Sequence, residues 1–213
     1  MNQSREDKIK NELVRSIKTH HYNGWHNNRT SYGYHSYNID EINIIGQRTP
    51  KKRIEDISKH ISFEGKNVLD LGCNVGSMLH HLDGINHGVG LDYDSVCIDV
   101  ANNISEILGR TNLSFKTHDF DRDDLNEIDS KINFTPDIIF ILSLGSWVST
   151  WKNLYSKCVE YNCDIILEIN NVTEGKPQLD YFEEMGLNVK LIVDNSLDDT
   201  TNNNNRKTYL IQR

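Results

Sequence analysis

The chain lacks the features that would place a protein in a membrane or outside the cell. No apolar run approaches the roughly 18 residues that a membrane-spanning helix requires, and residues 1–7 carry no apolar signal segment. The 213 residues include only four cysteines, without a Cys-x-x-Cys pair, which is typical of reduced thiols and not of a disulfide framework. We therefore expect a cytoplasmic protein with no membrane partner.

The chain is also short of positive charge. Its 31 Asp and Glu residues outnumber 23 Lys and Arg, which gives a net charge of −8. Because Lys and Arg supply most of the affinity for nucleic-acid phosphates, we expect no DNA partner and no wide nucleic-acid interface. The tightest basic cluster, Lys51 to Arg53, is expected to be a solvated face. None of the nine histidines has the spacing of a metal site, so no metal is expected, and His118 is expected to be a packed or surface residue.

Strand and helix patterns alternate from residue 50 onward. The predicted strands are 68–71, 88–91, 113–117, 137–142, 164–169, 189–193 and 207–211. The predicted helices begin at Pro50, cover 75–82, follow a cap at Ser95, and cover 151–161 and 178–185. This order predicts an α/β fold with a Rossmann-like, doubly wound, mostly parallel seven-stranded sheet whose last strand is antiparallel. Residues 1–49, with a helix over 4–19 and an aromatic segment after it, form an N-terminal extension to a domain at 50–213.

Residues 67–76, with the sequence NVLDLGCNVG, are the most informative segment. An apolar strand leads into Asp70 and then into a bend that contains Gly72 and Gly76. Because glycine has no Cβ, the backbone of such a bend can approach a nucleoside closely. The G-x-x-x-G spacing differs from the dinucleotide fingerprint, and a carboxylate before the turn suits a ligand with an ammonium or sulfonium group better than a pyrophosphate.

This segment resembles motif I of the class I S-adenosylmethionine-dependent methyltransferases. The resemblance implies that Asp70, Gly72, Asn74 and Gly76 contribute to a site for S-adenosyl-L-methionine, which leaves as S-adenosyl-L-homocysteine.

Residues after the next three strands extend this cofactor site, because ligands of such sheets bind beyond the carboxyl ends of the strands. Asp92, followed by Tyr93, is expected to accept hydrogen bonds from the ribose hydroxyls. Asp119 is expected to accept from the adenine amino group while Phe120 covers the ring. Ser143, after the fourth strand, completes the predicted set.

Two narrower resemblances point to different substrates. Residues 68–76 and 88–94 are similar to RNA 5′-phosphate methyltransferases, the methylphosphate capping enzymes. Residues 46–50 (GQRTP) resemble an arginine-bearing segment of those enzymes, which implies that Arg48 pairs with the methionine carboxylate as a bidentate fork; the alternative is a surface or helix-start residue. Residues 34–46 resemble the lead-in of tRNA wobble-uridine methyltransferases. The shared implication is the cofactor, and the acceptor stays open.

The acceptor pocket is expected from the loops after strands four and five and from the N-terminal segment. Methyl transfer from a sulfonium is an in-line displacement, which needs alignment and exclusion of water, and a base only where the acceptor must lose a proton. Glu168 is the candidate base or acceptor-orienting residue, with a structural hydrogen-bonding role as the alternative. The other predicted pocket residues are Tyr34, Ser146, Trp147 and Asn170. The rings at 34–37 predict either a lid or a fastening of the N-terminal segment.

Three functions compete. The first is a methyltransferase for a small molecule or sugar-like metabolite, and the second is an RNA-directed methyltransferase that acts on a terminal phosphate or a tRNA base. The third is a non-catalytic scaffold with the same fold. Arg and Lys residues around the cleft would favour the second over the first. The oligomeric state is not predicted.

Overall fold

The computed structural model describes residues 3–19, 31–199 and 206–213. The predictions for the aromatic residues at 20–30 lie outside this part of the chain. In the N-terminal region, helix α1 (Arg5–Thr19) is followed by an antiparallel hairpin of β1 (Tyr37–Ile39) and β2 (Ile42–Ile44). The hairpin was not predicted, because each of its strands has only three residues and its centre is polar.

The main sheet has seven strands in the order β5-β4-β3-β6-β7-β9-β8. These strands are β3 (Asn67–Leu71), β4 (His87–Asp92), β5 (Leu113–Thr117), β6 (Ile138–Leu142), β7 (Asp164–Glu168), β8 (Asn188–Val193) and β9 (Thr208–Gln212). Strands β3 to β7 pair in parallel, and β9 is antiparallel to both β7 and β8. The predicted doubly wound sheet with an antiparallel last strand is confirmed.

Six helices connect or precede these strands in the described part of the chain. They are α2 (Pro50–Ile57), α3 (Ser77–His80), α4 (Ser95–Leu108), α5 (Glu127–Ile132), α6 (Trp151–Glu160) and α7 (Val172–Glu184). Helix α5 was not predicted.

Three helix boundaries differ from the prediction for local reasons. The helix predicted at 75–82 is a single turn, and it begins only at Ser77 because Gly76 precedes it in the left-handed conformation (φ 74°). Asp94, and not Ser95, caps α4: its carboxylate accepts from the backbone N–H groups of Val96 and Cys97 at 2.8 and 3.1 Å. Helix α7 begins six residues before the predicted start, because the Asn171 side chain caps it.

The core lies on both faces of the sheet. Ile139 and Ile141 of β6 belong to one buried cluster, whereas Ile138 and Phe140 belong to the cluster on the other face. This alternation explains the continuous apolar run of β6, which lies near the middle of the parallel part of the sheet.

The N-terminal segment shares a core with the main domain. Ile9 and Leu13 of α1 belong to the same buried cluster as Val100 and Ile104 of α4. Tyr37 is fully buried, and its hydroxyl donates to the backbone oxygen of Val75 at 2.9 Å. Tyr37 therefore connects the hairpin to the glycine bend. The division of the chain into two parts at residue 49 stays a prediction. No helix of the described ranges combines the length and the apolar character needed to cross a bilayer.

Candidate active site

The glycine bend after β3 is held by the end of β4. The backbone N–H groups of Gly72 and Cys73 donate to the Leu91 oxygen at 2.8 and 3.1 Å. Gly72, Asn74 and Gly76 all have positive φ, of 75°, 51° and 74°. Glycine adopts this conformation without strain, and asparagine tolerates it better than most residues. The sequence Gly-Cys-Asn-Val-Gly therefore matches the shape of the bend.

A side chain at either of the two glycines would meet other parts of the protein. A Cβ on Gly76 would lie 2.5 Å from the Phe115 ring, and a Cβ on Gly72 would lie 2.9 Å from a terminal methyl of Leu144. Gly76 thus permits close packing of the bend on β5, and the approach of the bend to a ligand stays a prediction. At Gly72 the obstacle is a flexible side chain, which can move.

Asp92 lies at the carboxyl end of β4 and joins the bend to α4. Its carboxylate accepts from the backbone N–H groups of Asn74 at 2.8 Å and Asp94 at 3.0 Å. Burial raises the pKa of Asp92 to about 6, and these backbone hydrogen bonds oppose the shift. Because a carboxylate offers about four acceptor positions, and the backbone N–H of Tyr93 also hydrogen-bonds to it, Asp92 retains capacity for a ribose hydroxyl.

Asp70 is a buried carboxylate that no hydrogen bond compensates among the described residues. Its side chain is 2% exposed. Burial raises its pKa to about 7, an effect that Arg53 opposes and Asp92 reinforces. A buried acid in this state is costly to the fold and is typical of a functional position.

The residues predicted to contact the nucleoside differ in exposure and in the contacts that they make. Tyr93 is 42% exposed beside Asp92. The Asp119 carboxylate accepts from the backbone N–H of Asp121 at 3.1 Å and so caps its own loop. The Phe120 ring is buried in the core, edge-on to His118. The contact of Phe120 with adenine therefore stays a prediction.

His118 is packed, as expected, and lies near two acidic residues. Its Nδ1 is 2.9 Å from Nζ of Lys131, and Asp123 and Glu127 are close enough to share a cation with it. The ammonium of Lys131 is 3.9 Å from the Asp123 carboxylate and 3.6 Å from that of Glu127. A lysine ammonium thus already supplies positive charge to this group, and the expectation of no metal stays a prediction.

Glu168 lies at the centre of a buried group of arginines, which we call the arginine cluster: Glu168 with Arg48, Arg53 and Arg206. Its carboxylate is 3.4 Å from Nη2 of Arg48, 2.9 Å from Nη2 of Arg53 and 3.3 Å from Nη1 of Arg206. Burial alone would raise the pKa of Glu168, but the three guanidinium groups and the Ser143 hydroxyl outweigh it and lower the pKa to about 2. A carboxylate with this pKa is a weak base, so the geometry argues against a general base and favours the structural alternative.

Arg48 is fully buried in this cluster, and its predicted contact with the methionine carboxylate stays a prediction. Its Nε donates to the Asp198 carboxylate at 2.8 Å, and its Nη2 points to Glu168. The Nε–Nη2 edge of Arg48 therefore faces the protein's own acids, whereas its Nη1 has no hydrogen-bond partner among the described residues and lies 3.7 Å from the Asp199 carboxylate. The side chain is not on the surface. Arg53 is buried as well, so this residue of the basic cluster is not a solvated face.

The four other predicted pocket residues, and Ser143 of the predicted cofactor site, differ in what they contact. The Tyr34 hydroxyl accepts from Nη1 of Arg206 at 3.1 Å, and the Ser143 hydroxyl donates to Glu168 at 2.6 Å. Ser146 donates to Glu174 of α7 at 2.8 Å. Trp147 is 58% exposed, and Asn170 is half-buried after β7. Ser143 therefore belongs to the arginine cluster, and Ser146 is tied to α7.

Two partners in this cluster could hardly be predicted from sequence patterns. Asp198 and Arg53 were not predicted site residues, although Arg53 contacts Glu168 and Asp198 contacts both Arg48 and Arg53. Asp198 is 150 positions from Arg48 in the chain. The one available signal was the pairing of Arg48 with a second arginine five residues later.

Of the comparisons with known proteins, only the one with solved structures found matches. No protein-family model matches the chain, and no curated protein matches its sequence. Solved structures do match. They include EvdMO1, with 15% identity and a TM-score of 0.59 over 84% of this chain and 43% of that chain. A SAM-dependent methyltransferase from Aquifex aeolicus has 15% identity and a TM-score of 0.57 over 78% of this chain and 91% of that chain. The precorrin-6y C5,15-methyltransferase from Geobacter metallireducens GS-15 has 13% identity and a TM-score of 0.57 over 76% and 88%.

The chain has the class I methyltransferase fold. In this fold the strand order reverses between β3 and β6, and the candidate residues lie at the carboxyl ends of these and adjoining strands. At 13–15% identity the likeness is one of fold, and the chain spans less than half the length of EvdMO1. The narrower resemblances to RNA 5′-phosphate and wobble-uridine methyltransferases have no support from a family model.

Proposed function

We propose that the protein is an S-adenosylmethionine-dependent methyltransferase. The observation that carries this proposal is the pair of buried carboxylates, Asp70 and Asp92, on the two strands that flank the glycine bend of a class I methyltransferase fold. Two carboxyl groups with raised pKa values are costly to a protein that has no use for them. This cost argues against the scaffold alternative.

The chain's residues fit the cofactor by charge and by hydrogen-bonding capacity. Asp92 has an acceptor position left for a ribose hydroxyl, and Asp70 in its ionised form offers a desolvated negative charge to a cationic ligand. Tyr93, beside Asp92, is exposed enough for its ring to contact the nucleoside. When bound, the cofactor would supply the methyl group and the sulfonium leaving group. The protein's contribution is then orientation of the acceptor and exclusion of water.

The acceptor we propose is a small molecule or a sugar-like metabolite. The cationic residues that would mark an RNA-binding cleft are largely used within the described fold. Arg48 and Arg53 are buried and paired with acids, and Lys207 pairs with Asp194 at 2.5 Å. A terminal phosphate or tRNA base remains the second candidate, which the resemblances of residues 34–50 and 67–94 support.

Calorimetric titration with S-adenosylmethionine and S-adenosylhomocysteine tests the cofactor proposal. Wild type should bind both, and Asp92→Ala should lose roughly 1–3 kcal/mol of binding free energy because a ribose hydroxyl is left unpaired. Asp83→Ala is the matched control, because Asp83 is a carboxylate 84% exposed in its ion pair with Arg110. A wild-type protein that binds neither compound would contradict the proposal. Transfer of labelled methyl groups to fractionated metabolite and RNA pools then distinguishes the two acceptor classes.

A further inference from the structure

Arg206 is held by one end of its guanidinium group. Its Nη1 donates to the hydroxyl oxygens of Tyr34 and Ser143 at 3.1 and 2.8 Å and lies 3.3 Å from the Glu168 carboxylate. Its Nε is buried without a hydrogen-bond partner, and no described residue accepts from its Nη2. The side chain is 16% exposed. The group is thus fixed in position through Nη1, while the donors on Nε and Nη2 have no acceptor among the described residues.

The unused donors lie on a single edge of the planar group. The N–H of Nε and one N–H of Nη2 point in the same direction, with the spacing of the two oxygens of a carboxylate or a phosphate. Most buried donors in folded proteins have an acceptor, and an unsatisfied one requires an explanation. A ligand oxyanion supplies that acceptor.

The local charge also favours an anion. The only carboxylate that contacts Arg206 in the described structure is that of Glu168, and Glu168 is shared with Arg48 and Arg53. Arg48 and Arg53 both have Asp198 as a further partner, at 2.8 and 3.7 Å. Arg206 has no carboxylate partner other than Glu168 among the described residues, so an added anion there would meet the least competition from the protein's own acids.

The position of Arg206 links this edge to the candidate active site. Ser143 follows β6 and Glu168 ends β7, so both anchors lie at the carboxyl edge of the parallel strands. Tyr34 adds an anchor from the N-terminal segment.

We propose that Arg206 binds an oxyanion of a ligand in the candidate active site, the role that the sequence resemblance gave to Arg48. The proposal rests on the methyltransferase function. The oxyanion has two possible sources: the carboxylate of the cofactor's methionine moiety, or an anionic group of the acceptor.

The test compares Arg206→Lys with wild type. Lysine keeps the charge but cannot present two parallel N–H groups. Arg110→Lys is the matched control, because Arg110 forms one ion pair, with Asp83, away from the cluster. Calorimetry would measure binding of S-adenosylhomocysteine and of 5′-methylthioadenosine, which has the same thionucleoside but no carboxylate. Inorganic phosphate would be titrated into protein saturated with 5′-methylthioadenosine.

Two results support the proposal and identify the source. If the cofactor supplies the carboxylate, Arg206→Lys should lose roughly tenfold or more in affinity for S-adenosylhomocysteine and keep its affinity for 5′-methylthioadenosine. If the acceptor supplies the anion, Arg206→Lys should bind both nucleosides as wild type does. Its affinity for phosphate should be lower than that of wild type by a similar factor. Arg110→Lys should match wild type in every titration.

The proposal is overturned if Arg206→Lys binds S-adenosylhomocysteine and phosphate as wild type does. If wild type binds neither S-adenosylhomocysteine nor 5′-methylthioadenosine, the methyltransferase function is overturned, and this inference with it. Ser143→Ala is the second variant in case Arg206→Lys does not fold. It keeps the guanidinium but removes one anchor of Nη1, and it should weaken the same titration as Arg206→Lys by a smaller factor. Equal binding by Ser143→Ala and wild type would count against a fixed fork.

Discussion

The carboxylate of Asp92 accepts a hydrogen bond from the backbone N–H of Asn74 at 2.8 Å, so the end of β4 holds the bend that follows β3. The same carboxylate accepts from Asp94 at the start of α4. One buried acid thus fixes two segments that the nucleoside would contact. This arrangement couples the shape of the bend to the residue proposed to bind the ribose.

Asp92→Asn should loosen the bend as well as weaken cofactor binding. The amide has one oxygen where the carboxylate has two, so either Asn74 or Asp94 loses its acceptor. We expect faster hydrogen exchange at the Asn74 amide in the ligand-free variant. The amide of Leu91, whose residue lies within the β3–β4 pairing, serves as the control and should be unchanged. Unchanged exchange at both amides would show that Asp92 does not hold the bend.

Asp70 should make cofactor affinity depend on pH near neutrality. Its pKa is about 7 because it is buried, so at pH 6 most of the ligand-free protein carries a neutral carboxyl group. Binding of a cation favours the ionised form, and affinity for S-adenosylmethionine should therefore rise between pH 6 and 8 with release of a proton. The dependence should be much weaker in Asp70→Asn. Calorimetry in buffers with different ionisation enthalpies would measure the proton release, and equal pH profiles for the two proteins would contradict this assignment.

The Asp70 carboxyl group should also lower the stability of the ligand-free protein at high pH. Its pKa is raised from 3.8 to about 7 in the folded state, so the folded state binds its proton more tightly than the unfolded state does. The stabilising effect of that proton is complete below about pH 3.8 and is lost as pH rises through about 7. Asp70→Asn stays neutral, so its melting temperature relative to wild type should be higher at pH 8 than at pH 5. The exposed control Asp83→Asn should show no such trend.

Glu168→Gln should destabilise the fold more than a surface change of the same kind. The substitution leaves three guanidinium groups around a neutral amide, and loss of one partner from a buried ionic network costs about 3–5 kcal/mol. Urea unfolding would measure this, with Glu41→Gln as the control because Glu41 is 67% exposed in its ion pair. A variant with wild-type stability and no methyl transfer would restore Glu168 as a candidate base.

The parts of the structure that follow from local patterns were predicted, and the parts that depend on distant pairing were not. The apolar run of β6 was sufficient to place a strand buried on both faces, because periodicity and length decide this locally. The role of Glu168 depends on Arg48, Arg53 and Arg206, which lie 120, 115 and 38 positions away in the chain. No local pattern indicates such pairings. The sequence pattern therefore predicted Glu168 as a base, and the resemblance predicted Arg48 as a bidentate partner of a ligand carboxylate. The conformation of Gly76 was likewise implied by its motif, but the neighbour that requires glycine, Phe115, comes from a strand 39 residues later.

Gly76→Ala should therefore be destabilising for two separable reasons. At φ 74° any Cβ is strained, and at this position it would also lie 2.5 Å from the Phe115 ring and 3.1 Å from Ala101. Gly109→Ala isolates the first effect, because Gly109 has φ 70° and nothing within 4 Å of an added Cβ. We expect Gly109→Ala to cost about 1 kcal/mol and Gly76→Ala to cost about 1–3 kcal/mol more through overpacking, as measured by urea unfolding. Phe115→Leu should remove part of the extra cost when it is combined with Gly76→Ala, because the smaller side chain makes room for the methyl group. Equal losses for the two alanine variants would mean that the clash with Phe115 is relieved without cost, and that conformation alone requires glycine at position 76.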